Sequence, residues 1–278
     1  MKKWIKRLIL LVVTFVLYTF VFGVLIFNFP LKSESDITVD INQLMNPDDT
    51  LSTTYATILD DNRKALDVRL ALIESASEKI DVSYYTLHDG LSRDLVFSAL
   101  YDAAERGVRV RIILDGVFYY QTVDEPEYVR ALQSHELITI KLYERYNPLL
   151  PHTIQNRLHD KLLIIDDTHG ITGGRNIGDR FFFDGEEGAY SSTRDRDILI
   201  QGDSSHKTVT AMHTYYDTLF DYEHTHTLKP NRKNAEALVE TMHASMDEYK
   251  DTYSITDTLD WIDVSKIAVD NATFLHSP

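Results

Sequence analysis

The sequence predicts an α/β protein: a largely parallel or mixed β-sheet with helices packed outside it, behind one membrane-spanning helix. Two observations carry this. Short apolar runs with strand character recur between stretches of helical periodicity, and strands alternating with helices of that length build layered sheets. Ahead of them, Leu8–Phe29 is a run of 22 residues without a charge.

That run is interrupted only by Thr14, Thr19, Gly23 and Asn28. At about 1.5 Å per residue it spans roughly 33 Å, enough for a hydrocarbon core. Lys2, Lys3, Lys6 and Arg7 precede it and Pro30 follows. The positive-inside rule then places the N-terminus in the cytosol and everything after Pro30 outside. A cleaved signal peptide fits less well, because its apolar region would be unusually long and no small-x-small site follows Phe29 before Ser33–Asp36. Residues 1–30 therefore read as a basic N-terminus and signal anchor. Residues 31–56, with Asn46-Pro47-Asp48-Asp49, read as a polar stalk. The folded domain is expected at 57–230 and a helical extension at 231–278.

The elements follow in order. Leu66, Leu70 and Ile73 lie at i, i+4 and i+7, giving a helix from about Arg63 with Asp61 or Asn62 as its cap. Ile80–Tyr85 alternates as a strand. Ser92 is expected to cap a second helix running through Arg106, with Gly107 as its stop. Val108–Leu114 is a strand ending in Asp115-Gly116. A helix near Glu125–Ser134 and a strand at Ile138–Tyr143 come next. Beyond Pro148 and Pro151, Leu162–Asp166, Gly170–Thr172 and Asp197–Gln201 read as short buried strands. Ser204–Tyr222 and Asn234–Tyr249 read as helices, and Val209, Met212, Tyr216 and Leu219 as core. Lys266–Leu275 again has strand character.

Composition narrows the function. With 44% apolar and 26% charged residues and no cysteine, disorder, disulfides, zinc ribbons, iron–sulfur centres and Cys nucleophiles are excluded. Residues 33–278 hold 23 basic against 43 acidic side chains, a net charge of −20. Non-specific nucleic-acid binding rests on phosphate neutralisation, so a nucleic-acid partner is not expected.

The chemistry concentrates in His159-Asp-Lys161-Leu-Leu-Ile-Ile-Asp166 and Gly173-Gly174-Arg-Asn176. Six fixed positions, each matched about one time in twenty, recur by chance in roughly a few chains per million of this length. In a strand, residues two apart share a face, so His159 and Lys161 can point into one pocket. A neutral imidazole can attack phosphorus, and an ammonium can stabilise the oxygens on which charge develops. Asn176 adds an amide donor. Gly173 and Gly174, lacking Cβ atoms, let backbone N–H groups approach a phosphate. Asp166 has the opposite parity from His159 and reads as a support that hydrogen-bonds backbone or a neighbouring strand.

The pattern His-x-Lys-x4-Asp-x6-Gly-Gly-x-Asn resembles the HKD signature of the phospholipase D superfamily. Asp81–Tyr85, Ala103–Arg111, Asn176–Asp179 and Arg194–Ile198 resemble the first half of bacterial cardiolipin-synthase-like members, so the likeness covers roughly 57–222. It implies an α-β-α sandwich, a phospholipid substrate, no cofactor and no metal, and a two-step reaction through phosphohistidine. His159, Lys161 and Asp166 become the expected catalytic set, with Asn176, Gly173 and Gly174 binding phosphate. Such enzymes use two HxK histidines, and this sequence has one: His206-Lys207 has the wrong spacing. The other half is expected from a missing C-terminal segment, because Asn271–Pro278 resembles a connection into one, or else from a homodimer. Cardiolipin synthesis, a nuclease and an inactive anchored scaffold are the competing functions.

Bland roles are expected elsewhere. His88, His135 and His152 read as loop or strand-end residues, with His88-Asp89 at the pocket rim. His224, His226 and Glu223 read as a surface cluster, not a metal site. Asp195 and Asp197 read as ion-pair partners of Arg194 or Arg196. The aromatic residues at 118–120 and 181–183 line either a lipid path or the core.

Overall fold

The computed structural model describes residues 3–24, 54–122, 126–147, 149, 151–184, 192–202, 207–230, 232–255, 257–269 and 272–274. Most of the expected stalk, Ser204, His206 and the last four residues lie outside these. Strands β1 (Thr54–Leu59), β2 (Lys79–Tyr84), β3 (Arg109–Asp115), β4 (Ile138–Tyr143), β5 (Lys161–Ile165), β6 (His169–Gly173), β7 (Asp197–Gln201), β8 (Thr225–Thr227) and β9 (Ile267–Val269) form one sheet. Its order is β8-β4-β3-β2-β5-β6-β7-β1-β9. Only β2, β3 and β4 run parallel to each other; the other pairings are antiparallel. This is the mixed sheet that the alternating pattern implies.

Helices cover both faces. Side chains of α2 (Asn62–Ser75), α3 (Leu91–Glu105), α5 (Pro126–Leu132) and α8 (Ala235–Thr252) pack in one core with Val82, Ile112, Ile140, Leu163, Ile165 and Ile171. The opposite face carries α7 (Lys207–Phe220), whose Val209, Met212 and Tyr216 pack on Ile113, Leu162, Ile164 and Ile200. Strand parity thus sorts β5: Lys161, Leu163 and Ile165 share the first face, and Leu162 and Ile164 the second.

Several boundaries differ from the sequence expectation. Strand β1 takes in Thr54–Ala56 of the expected stalk and pairs with β7 across five positions. A short helix, α4 (Gly116–Thr122), follows β3 directly. Ser92 does not cap α3: Gly90 does, at φ 138°, and Ser92 is buried one residue inside the helix. The capping carboxylate comes from Asp179, at the start of the short helix α6 (Asp179–Phe182), and accepts from Leu91 N, Ser92 N and Ser92 Oγ at 3.1, 2.7 and 2.8 Å. Periodicity could not disclose a cap supplied from 87 residues away. Asp61 does cap α2, accepting from Lys64 N at 2.7 Å.

The expected helical extension belongs to the same layers. Helix α8 packs on α3 and α5, α9 (Thr258–Ser265) packs on α2, and β9 closes the sheet beside β1. Helix α1 (Lys3–Gly23) has no buried residue and is, among the described residues, the one helix long and apolar enough to cross a membrane.

Candidate active site

The parallel strands β2 and β3 end where antiparallel β5 begins, since Tyr84 pairs with Lys161. His159 and Lys161 therefore sit on the rim formed by the carboxyl ends of the parallel strands. Lys161 is buried, and its Nζ donates to the His159 carbonyl at 2.9 Å. His159 is exposed. Both meet the ring of Tyr85: the imidazole edge-on with centroids 4.4 Å apart, the ammonium 4.9 Å from the ring centre. Phe118 packs on Tyr85 at 4.3 Å.

Tyr85–His88, leaving β2, ties the motif together. Tyr85 N donates to the Asp160 carbonyl at 2.9 Å, Thr86 N to Asn176 Oδ1 at 3.3 Å, and His88 N to the Ile177 carbonyl at 2.9 Å. With Oδ1 engaged, the amide nitrogen of Asn176 is the end left to donate. His88 lies at this rim, its Nε2 3.2 Å from Thr86 Oγ1.

Electrostatics set the protonation states. Burial, followed by the neighbouring Lys161 charge, pulls the His159 imidazole below its usual value of 6.5. It is then neutral at pH 7, the form that can attack or accept a proton. Burial pulls Lys161 down to about 8, against the attraction of Asp160 and Asp195. At pH 7 it remains largely an ammonium.

Asp160 projects to the opposite face, where its carboxylate accepts from Tyr215 Oη at 2.9 Å and Ser83 Oγ at 2.9 Å. Burial raises its pKa, and these two hydroxyls oppose the rise. Asp115, fully buried at the end of β3, accepts from Val117 N, Phe118 N, Leu158 N and Arg157 Nη1. It thereby holds the backbone that leads into His159. Gly116 is required beside it, because a Cβ there would lie 2.5 Å from the Tyr143 carbonyl.

The other expected site residues are placed differently. Asp166 follows the far end of β5, at φ 47°, while His159 precedes the near end. Its carboxylate accepts from Ser77 N, Ser77 Oγ, Glu78 N and Lys79 N at 2.8–3.0 Å. Burial alone would raise its pKa, but the N–H groups of Lys79, Ser77 and Glu78 outweigh that and lower it. Asp166 thus bonds a neighbouring strand, as its parity implies, and anchors the start of β2. The two glycines have close neighbours of their own. Gly174 N donates to the Arg196 carbonyl at 3.1 Å and is not offered to a phosphate. Added Cβ atoms at Gly173 and Gly174 would lie 2.2 and 2.0 Å from the carboxylates of Asp197 and Asp195. The glycines admit these two acids.

Asp197 pairs with neither Arg194 nor Arg196. It binds Arg69 Nη2 at 2.8 Å and Arg175 Nη1 at 3.1 Å, all three side chains buried. Arg175 further donates to the carbonyls of Leu59, Asp60 and Phe181, locking the Gly-Gly-Arg-Asn turn to β1 and α6. Phe181, Phe182 and Tyr119 are core residues. His224 pairs with Glu223 on the surface, and no group of three potential metal ligands occurs among the described residues. Tyr85, Asp160 and Asp115 escaped the sequence reading, because each acts on the motif from a different segment or face.

Residues 70–219, more than half of the chain, match the family model described as the cardiolipin synthase, PLD-like domain. The chain belongs to the phospholipase D superfamily. Cardiolipin synthase C of Escherichia coli K12 is 37% identical over 153 residues, covering 52% of this chain and 31% of that protein. A cardiolipin synthase of Alkalihalophilus pseudofirmus is 29% identical over 148 residues, covering 53% and 28%. The chain thus spans about a third of the length of the curated relatives it matches. Among solved structures, NucT from Helicobacter pylori aligns with a TM-score of 0.48 and 19% identity, over 63% of this chain and 99% of that one.

Proposed function

We propose that this chain is one half of a phospholipase D-type phosphodiesterase that hydrolyses or exchanges the head group of a phosphatidyl lipid at the membrane its first helix spans. The supporting observation is the meeting of an exposed, neutral imidazole and a buried ammonium on the ring of Tyr85. Phosphodiester exchange needs a nucleophile and a cation at one phosphorus atom.

In the first step an imidazole nitrogen attacks phosphorus. An N–P bond forms, the P–O bond to the leaving alcohol breaks, and a second histidine gives that alcohol its proton. In the second step that histidine takes a proton from water or another alcohol, whose oxygen attacks phosphorus as the N–P bond breaks. His159 fills one of these roles and a histidine of a second HxK half fills the other. Lys161 stabilises the phosphoryl oxygens as charge develops, and the Asn176 amide donates to one of them. Where the incoming alcohol is phosphatidylglycerol, the product is cardiolipin, the reaction for which the named relatives are called synthases. With the N-terminus cytosolic, the site works on lipid outside the cytosol.

The test is an incubation of the detergent-solubilised chain, as a homodimer or supplied with a second HxK half, with labelled phosphatidylglycerol or phosphatidylcholine, a primary alcohol and, separately, plasmid DNA. Phosphatidyl-alcohol should form and should fall by about 10³-fold or more in His159→Ala. Nicked DNA without lipid product would favour a nuclease. No product in either, with His159→Ala unchanged, would favour a scaffold.

A further inference from the structure

A second polar cavity, of about 570 Å³, lies at the β8 edge of the sheet. That is within the range of small-molecule sites. Its walls are Arg130 of α5, Arg145 just after β4, Lys229 and His226 at and beyond β8, and Tyr120 of α4. In a domain with nearly two acids per base, no carboxylate among the described residues lines this cavity. Among the described residues Arg130, Arg145 and Lys229 have no ion-pair partner. The guanidinium of Arg130 also reaches the buried Tyr119 hydroxyl. A bound anion would give the three cations charge-assisted hydrogen bonds.

The cavity's surroundings indicate what kind of anion. Tyr120 is 58% exposed at its mouth, and the loop that Arg145 opens carries Tyr146, Leu149 and Ile154 with 44%, 70% and 45% of their surface exposed. The same loop touches the end of α1: Tyr18 Oη donates to the Leu149 carbonyl, and Gln155 Nε2 donates to the Gly23 carbonyl at 3.3 Å. The apolar loop residues therefore abut the helix, and the basic cavity opens beside them. Cations beside exposed aromatic and aliphatic side chains next to such a helix suit an anionic lipid head group. Arg145 follows β4, three strand spacings of about 4.8 Å from β5, so roughly 14 Å separates this cavity from the start of the HxK strand along the same rim.

We propose that the cavity bounded by Arg130, Arg145 and Lys229 binds the phosphate group of an anionic phospholipid in the leaflet that the anchor helix enters. This lipid is separate from the one whose phosphodiester meets His159. A polyanion is disfavoured, since the net charge of −20 repels it while a single head group needs only these three cations. The lipid source of the phosphate rests on the membrane-anchored function proposed above. The cavity's affinity for an anion does not.

Binding is measured on the full chain in neutral detergent carrying His159→Ala and Lys161→Ala, so that turnover plays no part. The probes are dihexanoyl phosphatidylglycerol, dihexanoyl phosphatidylcholine and inorganic phosphate. Phosphatidylglycerol should bind at least about tenfold more tightly than either other probe, and Arg145→Gln with Lys229→Gln should remove that advantage. The control pair Lys64→Gln and Lys207→Gln, which removes the same charge elsewhere, should keep it. The proposal is overturned if phosphatidylglycerol and phosphatidylcholine bind alike, if both charge-removing pairs act alike, or if inorganic phosphate binds while the lipid does not. Loss of lipid turnover with this binding intact would defeat the proposed function and leave the cavity's role standing.

Discussion

Lys161 should set the upper pH limit of the proposed activity. Its ammonium is largely buried, and burial brings its pKa down to about 8. The charged form is complete well below pH 8 and is lost as pH rises through it. Lipid turnover should fall along an alkaline limb near that value. Lys161→Arg should keep some activity and push the limb upward by more than one pH unit, because a guanidinium does not titrate there. An unchanged limb would mean that another group controls it. Asp166 is expected to behave oppositely. Replaced by alanine, it leaves three backbone N–H groups and a hydroxyl at the head of β2 without their acceptor. That should cost about 2–3 kcal/mol in urea unfolding, with KM nearly unchanged in whatever protein stays folded. Because its carboxyl is held below the usual range, this support is present above pH 4 and lost in stronger acid. His159 and Lys161 stand out in the sequence because the spacing of a short motif is local information. Tyr85, Asp115 and Asp160 do not, because their work depends on contacts across 40 to 75 residues of chain that no periodicity encodes.

At the scale of elements, the helices and central strands follow from apolar spacing, and β4 spans Ile138–Tyr143 as the alternation implies. The errors share one cause. The cap of α3 and the partners of Asp197 both depend on segments brought together by the sheet. Asp197 is the clearest case, since one carboxylate accepts from two buried guanidinium groups, from α2 and from the motif turn. Removing one partner of a buried pair leaves an uncompensated charge. Asp197→Ala should therefore destabilise the protein by about 3–5 kcal/mol, more than any single loss on the exposed rim. A change below 1 kcal/mol would mean that backbone carbonyls alone satisfy Arg69 and Arg175.

For the whole molecule, an acidic domain follows an apolar run with four bases before it and one, Lys32, close behind it. The natural absence of cysteine gives a clean topology test. In intact cells a single Lys233→Cys should react with a membrane-impermeant maleimide, and a single Lys3→Cys should react only after lysis. The reverse pattern would put the domain in the cytosol.

What ties these scales together is the coupling of one imidazole to one ammonium at the head of β5. Nitrogen NMR of the full chain with labelled histidine reads it most directly. The His159 ring should titrate below 6.5, rise towards its ordinary value when Lys161 is replaced by methionine, and shift on adding orthovanadate, a mimic of pentacoordinate phosphorus. A His159 that titrates at or above 6.5 and ignores both Lys161→Met and vanadate would contradict the assignment of this pair to phosphodiester chemistry.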